Sequence, residues 1–240
     1  MHTAAILPVK RFAVAKQRLG VSVAEALRLE LASAMVADVL LALAETPSIG
    51  RTIVVTREDS VAAEAREEGA LVLNDHAEDG QSAAVRIGIE GALAEGIGRV
   101  LCIPGDCPAL DPAELEALLG PQGVQPAGFD GTASAEREPE VVIVPDRHGT
   151  GTNGLLLAPP DAIGPSFGPG SCERHRALAL AAGLPCRLER PPSLLLDIDT
   201  GADLGALRER LSGEGARAPR TRAVLGLPAR ARAISIASSG

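Results

Sequence analysis

Short apolar runs alternate with longer amphipathic stretches through the first half of the chain, and this alternation constrains the fold most strongly. The runs TAAILPV at Thr3–Val9 and RTIVVT at Arg51–Thr56 are largely apolar and short enough to be strands. Ser22–Ala44 and Glu58–Glu68 have the apolar spacing of helices. Strands that are apolar on both faces and separated by helices predict a mostly parallel sheet covered by helices on both sides. The sequence therefore predicts an α/β fold.

The same patterns continue to the end of the domain. They predict further strands at Ala70–Leu73, Arg99–Pro104 and Glu140–Val144, and further helices at Gln81–Glu95, Asp111–Leu119, Ser171–Ala182 and Thr200–Arg210. We take residues 1–212 as one domain. From Gly213 onward the chain is rich in Ala, Arg, Gly and Pro, with five arginines against one glutamate. This composition predicts a poorly ordered tail over residues 213–240, with a short apolar contact at Val224–Leu227.

Composition excludes several classes of protein. Hydrophobic residues make up 46% of the 240 positions, which is too many for a disordered chain. The absence of Trp and Tyr disfavours stacking platforms for single-stranded nucleic acid, and a net charge of −8 argues against binding to a phosphate backbone. No apolar run approaches the ~20 residues of a membrane span, and the N-terminus lacks a secretory signal. We expect a cytoplasmic protein that binds neither nucleic acid nor a membrane.

An acidic residue follows the fourth predicted strand. Asp106 lies in the sequence PGDCP, between an apolar strand and a turn into a helix. Ligands of open α/β sheets bind outside the carboxyl ends of the strands, where one carboxylate can hold Mg²⁺. The alternative is an aspartate that only caps the turn.

Two more carboxylates follow the apolar run at Leu194–Leu196. Asp197 and Asp199 are two positions apart, so both side chains point the same way in an extended segment. Like charges this close favour a cation between them. The alternative is that Asp199 or Thr200 caps the last helix while Asp197 is solvated. With Asp106, the pair predicts a three-carboxylate site for Mg²⁺ or Mn²⁺.

Two glycine-rich segments have the composition of anion-binding loops. GTGTNG contains Thr152 and Asn153, and FGPGS contains Gly168 and Ser171. Glycines let successive backbone N–H groups converge on a phosphate or carboxylate, and Ser171 would begin a helix whose N-terminus favours an anion. The alternative is that the glycines serve tight turns only. Neither loop has a Walker pattern, and no G-x-G-x-x-G follows the first strand.

Cations follow the first predicted strand. Lys10, Lys16 and Arg18 are placed to hold a triphosphate and its pyrophosphate leaving group. The alternative is a solvated loop before the first helix. His148 and His175 lie close to the two glycine-rich loops but show no catalytic or metal-ligand spacing.

The order of these motifs resembles one family. LPVKRFAVAKQRLG, PGDCPALDPAEL, VVIVPDRHGTGTNGLLL, FGPGSCERH and LDIDTGADL follow one another as in the guanylyltransferases of deazaflavin coenzyme biosynthesis, which act on 2-phospholactate or phosphoenolpyruvate. The resemblance spans Ile6 to Leu211. It implies a Rossmann-like nucleotidyltransferase fold in which a phosphoacid attacks the α-phosphorus of GTP and expels pyrophosphate. A later transferase would use the guanylylated acid.

The resemblance also implies roles for particular residues. Asp106, Asp197 and Asp199 match the family's metal-binding carboxylates. Thr152, Gly168 and Ser171 fall where the family binds the phosphoacid, with Asn153 as the neighbour of Thr152. 

The family often has GLNAA where this chain has GQSAA, so Gln81 and Ser82 stand at the place of nucleotide contacts. The Ala/Arg-rich composition resembles bacterial members, which favours phosphoenolpyruvate over 2-phospholactate or 3-phosphoglycerate as the acceptor.

Two other functions remain open at this point. One is a sugar-phosphate or molybdopterin nucleotidyltransferase, but the entrance Leu7-Pro8-Val9-Lys10 lacks the glycines of their L-A-G-G-x-S-x-R-M-G pattern. The other is a non-catalytic nucleotide-sensing module, against which the three retained aspartates argue.

Overall fold

A mixed sheet forms the centre of the protein. The computed structural model describes residues 3–13, 16, 19, 23–120, 138–213 and 217–228. In this part of the chain the sheet has seven strands in the order β3-β2-β1-β4-β6-β5-β7. Their bounds are β1 Thr3–Val9, β2 Ile49–Thr56, β3 Leu71–Asn74, β4 Val100–Cys102, β5 Glu140–Pro145, β6 Thr152–Ala158 and β7 Cys186–Leu188.

Strand direction is parallel except at β6. Strand β1 pairs in parallel with β2 and β4, β2 with β3, and β5 with β7, whereas β6 is antiparallel to both β4 and β5. The predicted, mostly parallel α/β sheet is confirmed. Because β6 runs in the opposite direction, its first residues lie at the edge where β1, β4 and β5 end. This reversal was not predicted, and it brings Thr152 and Asn153 to that edge.

Helices cover both faces of the sheet, as predicted. Those in the described residues are α1 Glu25–Ala44, α2 Asp59–Glu67, α3 Gln81–Ala94, α4 Pro112–Leu119, α5 Ser171–Ala181, α6 Gly201–Ser212 and α7 Pro219–Val224. Alternate residues of β1 face opposite layers: Ala5 and Leu7 pack with α1, α2 and α4, whereas Ala4 and Ile6 pack with α3 and α5. None of these helices is both long and apolar enough to cross a membrane.

Local capping signals fix two of the helix starts. The Asp111 side chain accepts the backbone N–H of Ala113 at the start of α4. Thr200 and Asp203 form a capping box at the start of α6, so the capping of this helix by Thr200, which was part of the alternative interpretation, is confirmed. The short strand β7 at the sheet edge was not predicted.

The expectation of a poorly ordered tail over residues 213–240 is wrong for residues 217–228, whereas the predicted apolar contact at Val224–Leu227 is confirmed. Helix α7 packs on α1, where the buried carboxylate of Asp38 accepts the backbone N–H groups of Arg220 at 3.1 Å and Thr221 at 2.7 Å. Leu225 is buried with Leu31 and Leu207 in a third apolar cluster. The first N–H groups of a helix need hydrogen-bond acceptors, and for α7 Asp38 of α1 supplies them. The composition of the tail could not reveal this, because Asp38 is far away in the sequence. Residues 214–216 and 229–240 lie outside the described part.

Candidate active site

Two adjoining cavities open at the edge where β1, β4 and β5 end and β6 begins. The larger, of about 520 Å³, reaches from Lys10 and Asp106 to Asp75 and Glu78 in the loop after β3. The smaller, of about 470 Å³, lies between the β5–β6 turn and the start of α5. The residues that line both cavities are Lys16, Gln81, Thr152, Asn153, Asp197 and Asp199. One cation and two carboxylates therefore stand at the boundary between the cavities.

Lys16 joins two of the predicted carboxylates. Its ammonium group donates to Asp106 Oδ2 and, at 2.8 Å, to Asp199 Oδ1, and only 10% of its side chain is exposed. Burial acts to lower the pKa of Lys16, but the two carboxylates outweigh burial and raise this pKa above its ordinary value. Lys16 therefore stays protonated at any working pH, as a buried charge with paired partners.

Asp197 lies beside this ion-pair cluster and is oriented by β6. The Asn153 side-chain amide donates to Asp197 Oδ1 at 3.1 Å and to the carbonyl oxygen of Leu194 at 2.8 Å. Burial, followed by the nearby charge of Asp106, raises the pKa of Asp197, although the bond from Asn153 opposes this. Negative charge is thus concentrated at a place that favours a cationic ligand or counter-ion.

The oxygen donors at this boundary fit a divalent cation. Asp106 Oδ1 is buried and has no hydrogen-bond partner. Within the described ranges, no three acidic, histidine or cysteine side chains are grouped to hold a metal ion by themselves. In this arrangement Lys16 joins Asp106 to Asp199, so the described aspartates do not form a complete metal site by themselves, and the three-carboxylate centre stays a prediction. Mg²⁺ commonly takes only one or two carboxylates and completes its shell with water and substrate phosphates, which these aspartates can accommodate.

Both glycine-rich loops line the smaller cavity. In the β5–β6 turn, Asp146 Oδ1 accepts the backbone N–H of Thr150 at 2.9 Å, and a Cβ on Gly151 would lie 2.7 Å from Asp146 Oδ2. The carbonyl of Thr150 accepts the backbone N–H of Cys172 at 3.1 Å, which ties this turn to α5. A side chain at position 151 would therefore displace the Asp146 carboxylate that holds this turn, and the turn approaches the helix start closely.

The second loop leads into α5. Gly168 and Gly170 have φ angles of +108° and +73°, which non-glycine residues adopt rarely. Ser171 is buried and is the first residue of the helix. These glycines therefore do serve tight turns, as the alternative interpretation required. The turns also place the N-terminus of α5 beside the smaller cavity.

Residues 3–227 match the protein family described as guanylyl transferase CofC like. The chain belongs to this family. The match extends past Leu211, where the resemblance of the sequence motifs ends, and it includes α7. The protein is therefore a nucleotidyltransferase of the guanylyltransferase type.

Relatives with curated names match most of this chain. A phosphoenolpyruvate guanylyltransferase from Conexibacter woesei is 48% identical over 94% of this chain and 96% of its own length. A protein of the same name from Sphaerobacter thermophilus is 36% identical over 86% of this chain and 93% of its own length. One from Mycobacterium leprae is 34% identical over 85% and 87%.

Solved structures show the same fold at low identity. A putative nucleotide-diphospho-sugar transferase from Desulfovibrio desulfuricans has a TM-score of 0.69 and 16% identity, with 94% of this chain and 95% of that chain covered. A cytidylyltransferase from Leptospira borgpetersenii has a TM-score of 0.55 and 16% identity, with 94% of each chain covered. The predicted Rossmann-like nucleotidyltransferase fold is confirmed.

The structure of this guanylyltransferase brings most of the predicted site residues together. Lys16, Asp197 and Asp199 meet at the boundary of the two cavities, and Asp106 reaches this boundary from the larger cavity through its ion pair with Lys16. Gly168 and Ser171 line the smaller cavity, whereas Thr152 and Asn153 line both. The amide nitrogen of Asn153 is already engaged by Asp197 and Leu194, so Asn153 also orients a carboxylate.

The predicted nucleotide-binding residues are more dispersed. Lys10 is exposed at the larger cavity, and Gln81 lines both cavities. Ser82 Oγ accepts the backbone N–H of Phe167 at 2.8 Å, so Ser82 holds the loop before α5. Arg18 lies outside the described residues.

Sequence reasoning missed two groups of site residues. Asp203 accepts the backbone N–H of Asp199, and the T-x-x-D spacing from Thr200 was a signal for it. Glu78, in the larger cavity, accepts two hydrogen bonds from Arg11, at 2.9 and 2.7 Å. No local signal marks Glu78, because its partner follows a different strand.

Proposed function

We propose that this enzyme transfers GMP from GTP to phosphoenolpyruvate and releases pyrophosphate, as a step in deazaflavin coenzyme biosynthesis. Relatives named phosphoenolpyruvate guanylyltransferase, 48% and 36% identical, support the choice of donor and acceptor. The observation that carries the proposal is the pair of adjoining cavities that share Lys16, Asp197 and Asp199. Two substrates held on either side of this boundary would meet where a cation faces their reacting groups.

The larger cavity suits the nucleotide. This cavity has a volume of about 520 Å³ and lies at the ends of the parallel strands β1 and β4, where nucleotides bind in open α/β sheets. Lys10 and Lys16 stand beside Asp106 in its lining, whereas Asp75 and Glu78 lie in the loop after β3. The triphosphate would lie toward the lysines, and the base toward the loop after β3.

The smaller cavity suits a compact anion. The hydroxyl groups of Thr152 and Ser171 offer donors to a phosphate or carboxylate, and the N-terminus of α5 favours an anion beside them. Its volume of about 470 Å³ accommodates a three-carbon phosphoacid. This arrangement supports a three-carbon phosphoacid as the acceptor, and the names of the relatives support phosphoenolpyruvate among such acids.

The chemistry needs little proton transfer from the protein. A phosphate oxygen of phosphoenolpyruvate forms a bond to the α-phosphorus of GTP, the bond from the α-phosphorus to its bridging oxygen breaks, and pyrophosphate departs. The attacking phosphate is already ionised, so catalysis rests on in-line positioning and on neutralisation of charge. Lys16, which stays protonated and lines both cavities, would face the point where this charge develops. A Mg²⁺ or Mn²⁺ ion held by Asp106, Asp197 and Asp199 would supply further neutralisation of the phosphates.

A panel of three acceptors tests the proposal. Purified protein is incubated with GTP, a divalent metal and phosphoenolpyruvate, 2-phospho-L-lactate or 3-phosphoglycerate, while pyrophosphate is measured and the product is identified by mass spectrometry. We expect the largest kcat/KM with phosphoenolpyruvate, and little release with ATP or CTP in place of GTP. Asp199→Asn serves as the inactive control. A faster reaction with another phosphoacid would reassign the acceptor, and release only with sugar phosphates would overturn the proposal.

A further inference from the structure

A buried histidine stands behind the smaller cavity. His175, on α5, is fully buried, and both of its ring nitrogens are hydrogen-bonded. Nε2 accepts the backbone N–H of Ser166 at 2.9 Å, and Nδ1 lies 3.1 Å from Thr152 Oγ1. The Phe167 ring meets the imidazole edge-on, with 5.1 Å between the ring centroids. One side chain thus contacts both the start of β6 and the loop before α5.

These two contacts determine the position of the imidazole proton. A backbone N–H group only donates, so the Nε2 atom that accepts it from Ser166 carries no proton. The proton of a neutral ring is then on Nδ1, which donates to Thr152 Oγ1. Burial, aided by the charge of Arg174, lowers the pKa of His175 to about 4, so the ring is neutral at working pH.

The direction of this bond determines what Thr152 can do. Because its oxygen accepts from His175, the hydroxyl proton of Thr152 is available for another acceptor. Within the described chain, the Thr152 hydroxyl has no other hydrogen-bond partner than His175. Thr152 lines both cavities, next to the carboxylates that an anionic substrate must approach. The Thr152 hydroxyl can therefore donate to a ligand in these cavities.

We propose that His175 is a positioning residue for the acceptor, which fixes the Thr152 hydroxyl as a hydrogen-bond donor to the anionic phosphoacid. This inference rests on the proposed function, because it assigns the smaller cavity to the acceptor. His175 is one of several anchors of the loop before α5. Arg174 donates to the carbonyl groups of Ser166 and Phe167, and Ser82 accepts from Phe167. The loop therefore keeps other anchors when the contact from His175 to Ser166 is lost, which allows the two contacts of His175 to be tested separately.

A pair of amide substitutions separates the two contacts. In His175→Asn the amide NH₂ reaches the Nδ1 position and still donates to Thr152, but the bond from Ser166 is lost. In His175→Gln the amide oxygen reaches the Nε2 position and still accepts from Ser166, but the donor to Thr152 is lost. We expect His175→Gln to raise the KM for the phosphoacid about tenfold, the effect of one lost hydrogen bond to an ionised group, with the KM for GTP almost unchanged. His175→Asn should stay within about threefold of the unsubstituted enzyme for both substrates.

Binding and spectroscopy provide readouts that do not need turnover. Calorimetric titration with phosphoenolpyruvate should show an affinity for His175→Asn close to that of the unsubstituted enzyme and a weaker affinity for His175→Gln. Thr152→Val should weaken binding as much as His175→Gln does. Nitrogen-15 NMR of histidine-labelled enzyme should show a neutral ring protonated on Nδ1, assigned by its absence in His175→Gln. Melting temperatures verify that each variant is folded.

Several results would overturn the inference. They are an Nε2-protonated or charged ring, equal losses in His175→Asn and His175→Gln, or a rise in the KM for GTP that matches the rise for the phosphoacid. Failure of the proposed function gives a different result, because the unsubstituted enzyme would then release no pyrophosphate with any phosphoacid while the tautomer of His175 stayed as inferred.

Discussion

The backbone N–H of Asp199 donates to Asp203 Oδ2 at 3.1 Å, so the carboxylate that caps α6 also holds a residue of the candidate site. The same oxygen accepts the backbone N–H and the hydroxyl of Thr200. The other oxygen of Asp203 pairs with Arg147, from the turn that lines the smaller cavity. The hydrogen bonds of Thr200 and Asp199 and the charge of Arg147 lower the pKa of Asp203, against its burial. Asp203 therefore connects Asp199 to the turn between β5 and β6.

We predict that Asp203→Ala lowers both stability and turnover. Loss of the helix cap should reduce the free energy of unfolding by about 1–2 kcal/mol. Loss of the bond to Asp199 should reduce kcat further, because that carboxylate is no longer held in place. Thr200→Ala is the matched control, since it weakens the same cap but leaves the bond between Asp199 and Asp203. Equal kcat values in the two variants, measured at saturating substrates, would contradict this role of Asp203.

Activity should depend on a divalent metal. We expect EDTA to abolish pyrophosphate release and Mg²⁺ or Mn²⁺ to restore it, because the described lining of the cavities offers the hard oxygen donors of Asp106, Asp197 and Asp199. Asp197→Asn and Asp199→Asn should each lower kcat by roughly 100-fold or more, since each removes a charge with little change of shape. The amide oxygen that replaces the Asp197 carboxylate can still accept the bond from Asn153. Full activity of either variant at saturating metal would exclude that residue from metal binding.

Substitutions in the loop before α5 should weaken binding of the phosphoacid more than binding of GTP. Ser171→Ala removes one hydroxyl donor, and we expect a loss of about 10- to 150-fold in kcat/KM for the phosphoacid. Gly168→Val should be more harmful, because φ at this position is +108° and a β-branched residue resists that conformation. The measurement is steady-state kinetics with each substrate varied in turn, beside calorimetric binding of GTP. Weakened GTP binding with unchanged kinetics for the phosphoacid would assign the loop to the other substrate.

The docked helix α7 should contribute to stability. A chain that ends at Gly213 loses the burial of Leu225 and the two hydrogen bonds from α7 to the carboxylate of Asp38. We expect the free energy of unfolding to fall by about 3 kcal/mol or more. A chain that ends at Pro228 keeps every described contact of α7 and should lie within about 0.5 kcal/mol of the full-length protein. Equal urea midpoints for the two truncations would show that α7 adds nothing to stability.

Acid should destabilise the protein through His175. Its pKa is about 4 in the folded state against an ordinary value of 6.5, so the unfolded chain binds a proton first as the pH falls. The contribution of His175 to stability is complete above pH 6.5 and is lost between that pH and about 4. At about 1.4 kcal/mol per pH unit, the loss amounts to roughly 3 kcal/mol. His175→Gln should remove this part of the pH dependence.

Urea unfolding of both proteins at several pH values between 4 and 7.5 measures this difference. Asp38 and Asp197, whose pKa values are raised, act in the opposite direction in both proteins, so their contribution cancels in the comparison. Parallel curves of stability against pH would contradict the prediction.

Much of the fold followed from the sequence, because the patterns involved are local. The apolar run at Thr3–Val9 became β1 with the predicted bounds, and Ser171 became the first residue of α5. Thr200 capped α6 as one alternative required. Hydrophobic periodicity and capping residues act over a few neighbouring positions, so they can be identified in a single sequence. The sequence also supplied the site's carboxylates and glycine-rich loops, since the carboxyl ends of parallel strands share one edge of the sheet.

Only the tertiary structure decided how these groups are connected. Lys16 lies 90 positions before Asp106 and 183 before Asp199, yet it holds both carboxylates. The reversed direction of β6 placed Thr152 at the same edge, against His175 of α5. Each of these contacts depends on where two distant segments meet in space. A local pattern specifies the conformation of its own segment but not its partner, and so the ion pairs and hydrogen bonds that build this site had to come from the packed structure.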